Sequence, residues 1–210
     1  MSDVDRLMIE GKLPGAVFES RQGTTHTRNE DFLQAISLSD GSTFLAVYDG
    51  ITTGGTGAVD SERAAFILKE KLLEKIVRSA GQNREAFLDE LLRWTNQKLY
   101  DWNVAQGRST YSGTTIAAAL IDPNRQRLYT AHMGDSRVYL FAAGALNPLT
   151  QDHGKMAQVR MCLSPDHLDF SPEIHCYLWP APNLPKDNRA FVLLCTDGVH
   201  DFIAGRDAFE

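Results

Sequence analysis

The chain has 210 residues, 43% hydrophobic and 23% charged, enough to bury one substantial core without forcing a second domain. No apolar run approaches the roughly 20 residues needed to cross a bilayer, and the opening MSDVDRLMIEGKLPGA lacks the basic start and apolar stretch of a secretion signal. A single cytoplasmic domain over 1–210 with no membrane partner is expected, and a net charge of -6 excludes nucleic acid as a substrate by repulsion.

In chain order, AVFES at 16–20, FLQAIS at 32–37 and TFLAVY at 43–48 read as short strands. Ser39-Asp40-Gly41 supplies turn chemistry between the last two, because Gly tolerates positive φ and Asp bonds the turn backbone. Those two strands should form a hairpin. From 61 to 79, Ala65, Leu68, Leu72 and Ile76 recur at helical spacing opposite Lys69, Glu70, Lys71 and Lys75, and Gly81 suits the helix cap. A second helix, about 84–103, presents Leu88, Leu91, Leu92, Thr95, Leu99 and Trp102 along one side.

Beyond Gly113 the pattern returns to strands, at 114–121, 127–133 and 137–141, with Asp122-Pro123-Asn124 turning the first into the second. Further strands are predicted at 173–179 and 190–196, and the Pro-rich stretch 180–185 is loop. Runs of strands around one block of helices favour an antiparallel α+β architecture. Cys162, Cys176 and Cys195 are odd in number and widely spaced, which argues for reduced, largely buried thiols rather than disulfides or Cys-x-x-Cys metal sites.

Two segments share one design: LAVYDG ends on Asp49-Gly50 and VLLCTDG on Asp197-Gly198. Each delivers a carboxylate to the rim of the core just after an apolar strand, where a rigid sheet can hold it. Hard divalent cations favour such oxygen ligands. Asp-Gly is also a hairpin signal, and Asp40-Gly41 is expected to serve as one. What favours a metal site is the further acid Asp135 in HMGDSR, with the adjacent Glu30 and Asp31 in TRNEDF. Crowded carboxylates repel one another unless a shared cation relieves them.

Taken in order, NED at 29–31, VYDG at 47–50, SGTT at 112–115, GDSR at 134–137, LTQDH at 149–153 and CTDGVHD at 195–201 resemble the motifs of the type 2C, or PPM, family of metal-dependent serine/threonine protein phosphatases. The likeness runs over about residues 23–203. It implies a four-layer α+β sandwich, two antiparallel β-sheets flanked by helices, with two Mn2+ or Mg2+ ions at one end. By the same resemblance Asp49 bridges both ions, Gly50 offers its carbonyl and Asp197 ligates the second ion. Glu30 and Asp31 would orient bound waters, and Asp135 and Asp201 would hold a weaker third ion. The implied activity is hydrolysis of phosphoserine and phosphothreonine on a phosphorylated protein, by water activated between paired cations. No Gly-x-Ser-x-Gly elbow is present to favour a covalent route instead. SGTT and LTQDH read as packing and local hydrogen bonding.

The sequence also departs from the family pattern. Where relatives continue the Asp-Gly motif as Met-Gly-Gly-His, this chain has Ile51-Thr52-Thr53-Gly54. The family's candidate general acid, a role worth on the order of 10² to 10⁴ in rate, is therefore absent. His132, His153, His175 and His200 remain, and His200, beside the second Asp-Gly, is the best placed to substitute. The position of the family's phosphate-binding arginine holds His26; Arg28, two residues on and on the same strand face, is the alternative phosphate ligand, or else a solvated side chain. The stretch 154–170 is short for the family's substrate flap, and the sequence reaches Glu210 without the family's later Asp-Asn motif or final strands. These departures leave a second function open, a catalytically impaired module that binds phosphoproteins or scaffolds a signalling complex. The oligomeric state is not legible.

Overall fold

A computed structural model describes residues 6–23, 28–51, 57–76, 83–107, 113–153, 172–179 and 190–204. The elements run β1 (Leu7–Glu10), β2 (Asp31–Ser37), β3 (Thr43–Asp49), α1 (Gly57–Ile76), α2 (Arg84–Ala105), β4 (Ile116–Asp122), β5 (Arg127–Met133), β6 (Arg137–Ala142), β7 (Ala145–Pro148), β8 (Glu173–Leu178), β9 (Phe191–Cys195) and α3 (Asp197–Ala204). They build a six-stranded sheet, in the order β1-β2-β3-β4-β5-β8, and a three-stranded sheet, β7-β6-β9. Every neighbouring pair is antiparallel except β1 with β2. The predicted α+β architecture of two sheets with helices is therefore present, with one parallel strand added at an edge.

The six-stranded sheet is covered on both faces, which is why its central strand reads as a continuous apolar run. Along β4, Ile116, Ala118 and Leu120 pack with Leu68, Leu72, Leu88, Leu91 and Leu99 from the two long helices. The alternate residues, Ala117 and Ala119, pack with Val47, Leu128 and Val138 between the sheets. A strand's period of two thus serves two cores at once. Burying each of those leucines contributes about 1.5–3 kcal/mol as an upper figure. One polar group in the helix-side core is fully satisfied: Gln34 donates to Ala65 O at 2.9 Å and accepts from Tyr48 Oη at 2.7 Å.

The β2–β3 hairpin closes as its sequence predicts. Gly41 takes φ +83°, Ser42 N–H donates to Asp40 Oδ1 at 3.0 Å, and the strands pair from Ser37↔Thr43 to Asp31↔Asp49. Three expectations need correction. The stretch 16–20 forms no strand: Val17 is 93% exposed, and the sheet edge it would need is occupied by β1 through Leu7↔Leu33 to Glu10↔Ile36. Strand β7 went unforeseen because ALNP, ending in Pro148, carries little strand signal; it forms because Ala143 and Gly144, at φ +53° and +82°, make a tight turn of the handedness hairpins prefer. Finally, Cys176 is exposed on β8, whereas Cys195 is buried. Cys162, the Gly81 cap, the 154–170 stretch and the 180–185 loop lie outside the described residues.

Helix α2 starts on Asn83, whose Oδ1 accepts from Glu85 N–H at 2.8 Å and caps the first turn. The next residue, Arg84, is 2% exposed. It is paired with Asp40 in the β2–β3 turn and lies 3.4 Å from Asp122 Oδ2 at the β4–β5 turn, so one guanidinium pins the helix to two hairpins. Removing it takes one partner from each carboxylate, although Asp122 keeps Arg125 Nη1 at 2.6 Å and Asp40 keeps Ser42 N–H at 3.0 Å. Arg84→Ala is expected to destabilise the chain by about 1.5–3 kcal/mol, read as a lower urea midpoint at unchanged slope.

Candidate active site

Four aspartates from separate parts of the chain reach one end of the two sheets. Asp31 opens β2 and Asp49 closes β3, and the hairpin register sets them directly opposite each other. Asp197 opens α3 one residue beyond β9, and β9 pairs with β6 through Cys195↔Arg137. That pairing brings Asp197 to the end of β6 where Asp135 lies. The carboxyls of Asp49 and Asp197 are close neighbours there.

The electrostatics record this crowding. Burial, reinforced by the charges of Asp31 and Asp197, pushes Asp49 well above the usual carboxylate range. Asp31 is pushed up to about 6, first by burial, against a lowering hydrogen bond from Thr196 and with a raising contribution from Asp197. Asp135 is raised by burial and then by Asp197. Carboxyls so placed are costly unless protonated or paired with cations. The donors are all oxygen, the set that hard divalent ions take.

Backbone hydrogen bonds fix these side chains in place. Asp49 O accepts from Thr115 N–H at 2.8 Å and Thr114 Oγ1 at 2.9 Å, and Asp49 N–H donates to Thr115 Oγ1 at 3.2 Å. Thr114 and Thr115 of SGTT are structural, as expected, but the structure they make is the seat of Asp49. Glu30 O accepts from Ser61 Oγ at 2.7 Å and Gly50 N–H at 3.2 Å, while Arg6 Nε donates to Asp31 O at 2.8 Å. Thr196 Oγ1 donates to Asp31 Oδ2 at 3.1 Å. In LTQDH, Asp152 holds Arg137 through two bonds of 2.7 Å, and His153 and Gly134 exchange backbone and ring hydrogen bonds of 3.1 Å.

Gly134 carries Asp135 and tolerates no side chain. Its φ is +100°, and an added Cβ would sit 2.7 Å from Thr115 Cγ2. Gly134→Ala combines left-handed strain with overpacking. The expected cost is about 2–4 kcal/mol in unfolding free energy, measured by denaturant titration.

Other predicted residues are not gathered into this cluster. Arg28 is exposed and bonds no described residue, and His26 and the Thr52 to Gly54 loop lie outside the described residues. Asp201 sits on α3 with its side chain 73% exposed, 3.1 Å from His200 Nδ1. His200 is 2% exposed, and its Nε2 donates to Asp135 O at 2.9 Å, which leaves the buried Nδ1 as its other ring nitrogen. His175 lies on β8 at 48% exposure. Sequence reasoning missed Arg6, Ser61 and Thr196. Only Thr196 had a legible signal, a hydroxyl next to a strand-end acid.

The comparisons agree with this geometry. The family profile described as protein phosphatase 2C matches residues 15–157, more than half of the chain. The serine/threonine phosphatase stp of Listeria monocytogenes serotype 4b (strain F2365) is 27% identical over 138 residues, 66% of this chain and 54% of that protein. The chain thus spans about half the length of the first curated relatives it matches. In fold it is similar to the serine/threonine phosphatase Stp1 from Staphylococcus aureus, with a TM-score of 0.72, 20% identity, and 95% of this chain and 82% of that one covered. It is also similar to the catalytic domain of the serine/threonine protein phosphatase PstP in complex with 2 manganese ions, with a TM-score of 0.64, 24% identity, and 87% and 77% covered. The chain belongs to the protein phosphatase 2C family.

Proposed function

We propose that this chain is a cytoplasmic, single-domain phosphatase that hydrolyses phosphoserine and phosphothreonine on proteins with two Mn2+ or Mg2+ ions. The observation that carries the reading is the convergence of Asp31, Asp49, Asp135 and Asp197 at one end of the sheets. Asp49 and Asp197 would hold the ions, with the Gly50 carbonyl beside them, and Glu30 and Asp31 would position water. Asp135 would serve a weaker third ion, with Asp201 reaching it only by turning from its exposed position. When bound, the ions supply positive charge to the phosphoryl oxygens and make a water nucleophilic near neutral pH. The chain's own part is rigidity: Thr114, Thr115, Thr196 and Arg6 hold the acids so that little reorganisation accompanies reaction. Arg28, exposed and uncommitted among the described residues, is the candidate phosphate ligand, with His26 beside it in sequence. Release of inorganic phosphate from a phosphothreonine peptide with Mn2+ tests the assignment, and no release would refute it.

Gly54 in place of the family histidine favours one variation, a centre poor at protonating its leaving group. Aryl phosphates, whose leaving groups need little protonation, should then outpace the phosphothreonine peptide by about 10² or more in kcat/KM. A faster peptide would show that another acid has taken over. If both substrates fail while Mn2+ still binds, the phosphoprotein-binding module becomes the better reading.

A further inference from the structure

A second set of metal-binding side chains lies on the β5–β8 side of the same sheet. His132 on β5 is paired directly with Glu173 on β8, and the His153 ring stacks on His132 with centroids 4.6 Å apart. One ligand atom from each of the three lies within 4.8 Å of the other two. His153 Nε2 is 3.4 Å from Glu173 Oε1, and His132 Nε2 is 3.9 Å from Glu173 Oε2.

The hydrogen bonding at this cluster is incomplete. His132 is 1% exposed, and Nε2 of His153 is buried without a hydrogen-bond partner. Buried polar atoms in folded proteins are rarely left so. His153 Nε2 lies near a carboxylate oxygen yet makes no aligned hydrogen bond with it; the two atoms sit side by side, as neighbouring ligands of one ion do. Zinc–nitrogen bonds of about 2.0–2.1 Å in a tetrahedron place ligand atoms roughly 3.3–3.4 Å apart.

We propose that His132, His153 and Glu173 form a site for a divalent transition metal such as Zn2+ or Co2+, separate from the aspartate cluster. Two imidazoles and one carboxylate select such ions over Mg2+, which prefers all-oxygen sites like that of the aspartates. The Glu173 side chain is 45% exposed and provides access, with His175 Nε2 flanking it 3.7 Å from Oε2. Loading exchanges existing bonds for new ones. His132 Nε2 bonds Gln151 O at 2.8 Å, and His153 Nδ1 accepts from Gly134 N–H at 3.1 Å. A ligating Nε2 gives up its proton, so each ring trades one of these hydrogen bonds for a bond to the ion. Gln151 O then stands beside the ion as a fourth, oxygen donor.

The test uses Co2+, whose visible absorption reports low-symmetry nitrogen and oxygen coordination, titrated into the chain in excess Mg2+ so that the hard-ion site is filled. The expected result is one Co2+ per chain with a visible band that Zn2+ abolishes. Glu173→Gln, at an exposed position outside the aspartate cluster, should weaken Co2+ binding at least about tenfold without shifting the melting temperature, and Asp49→Asn should leave the band unchanged. Any other pattern overturns the proposal: no band, a band indifferent to Glu173→Gln, or one lost with Asp49→Asn.

Discussion

Asp49→Asn is expected to lower Mn2+-dependent phosphate release by about 10³-fold or more, a loss of roughly 4 kcal/mol of transition-state stabilisation. The reasoning starts from position. Asp49 is the end residue of a central strand, faces Asp31 across the hairpin and neighbours Asp197, so it is the acid most able to reach two ions. An amide keeps the shape, but loses the charge that would hold the proposed cations. The same change removes one of several buried carboxylates that repel each other, so the variant freed of metal should be at least as stable as the parent. Turnover and denaturant midpoint, measured together, therefore separate a lost function from a lost fold. Unchanged turnover would show that Asp49 holds no essential ion.

The second large effect concerns pH and metal removal. Asp31 is raised from 3.8 to about 6 and Asp49 is raised further. An acid with a raised pKa keeps its proton in the folded state after the unfolded chain has released it, so folding stability falls as pH rises through that interval. In EDTA the chain should lose roughly 3 kcal/mol between about pH 4 and pH 6 from Asp31 alone, with Asp49 extending the decline upward. Asp40 and Asp152, held low by their hydrogen bonds and by Arg84 and Arg137, act in the opposite sense and lose stability only as pH falls below the ordinary carboxylate range. Mn2+ at about 100 times its Kd should restore about 2.7 kcal/mol, and more effectively at pH 8 than at pH 5, where protons compete for the same oxygens. Urea midpoints at the two pH values, with EDTA or Mn2+, check this. Equal midpoints in EDTA, with no response to Mn2+, would contradict it.

Much of this was legible in the sequence because local chemistry and global fold agree. The Asp40-Gly41 turn sets the β2–β3 register, that register places Asp31 opposite Asp49, and the apolar run ending in CTDG delivers Asp197. Where local signal and tertiary context part, the reading failed. The residues at 16–20 have the composition of a strand, but β1, from residues 7–10, takes the edge instead. No spacing announces that Arg6 reaches Asp31 O or that Ser61 in α1 holds Glu30 O, because those contacts span 25 and 31 residues. The Asp-Gly pair at 197 starts a helix rather than closing a hairpin, a choice decided by what the chain packs against rather than by the dipeptide.

The most direct test of the central claim is a calorimetric titration of the chain with Mn2+ at neutral pH. Two ions bound per chain, with uptake lost in Asp49→Asn, is the result expected of aspartates that converge to share paired cations. No heat of binding, or the same uptake by the variant, would contradict it.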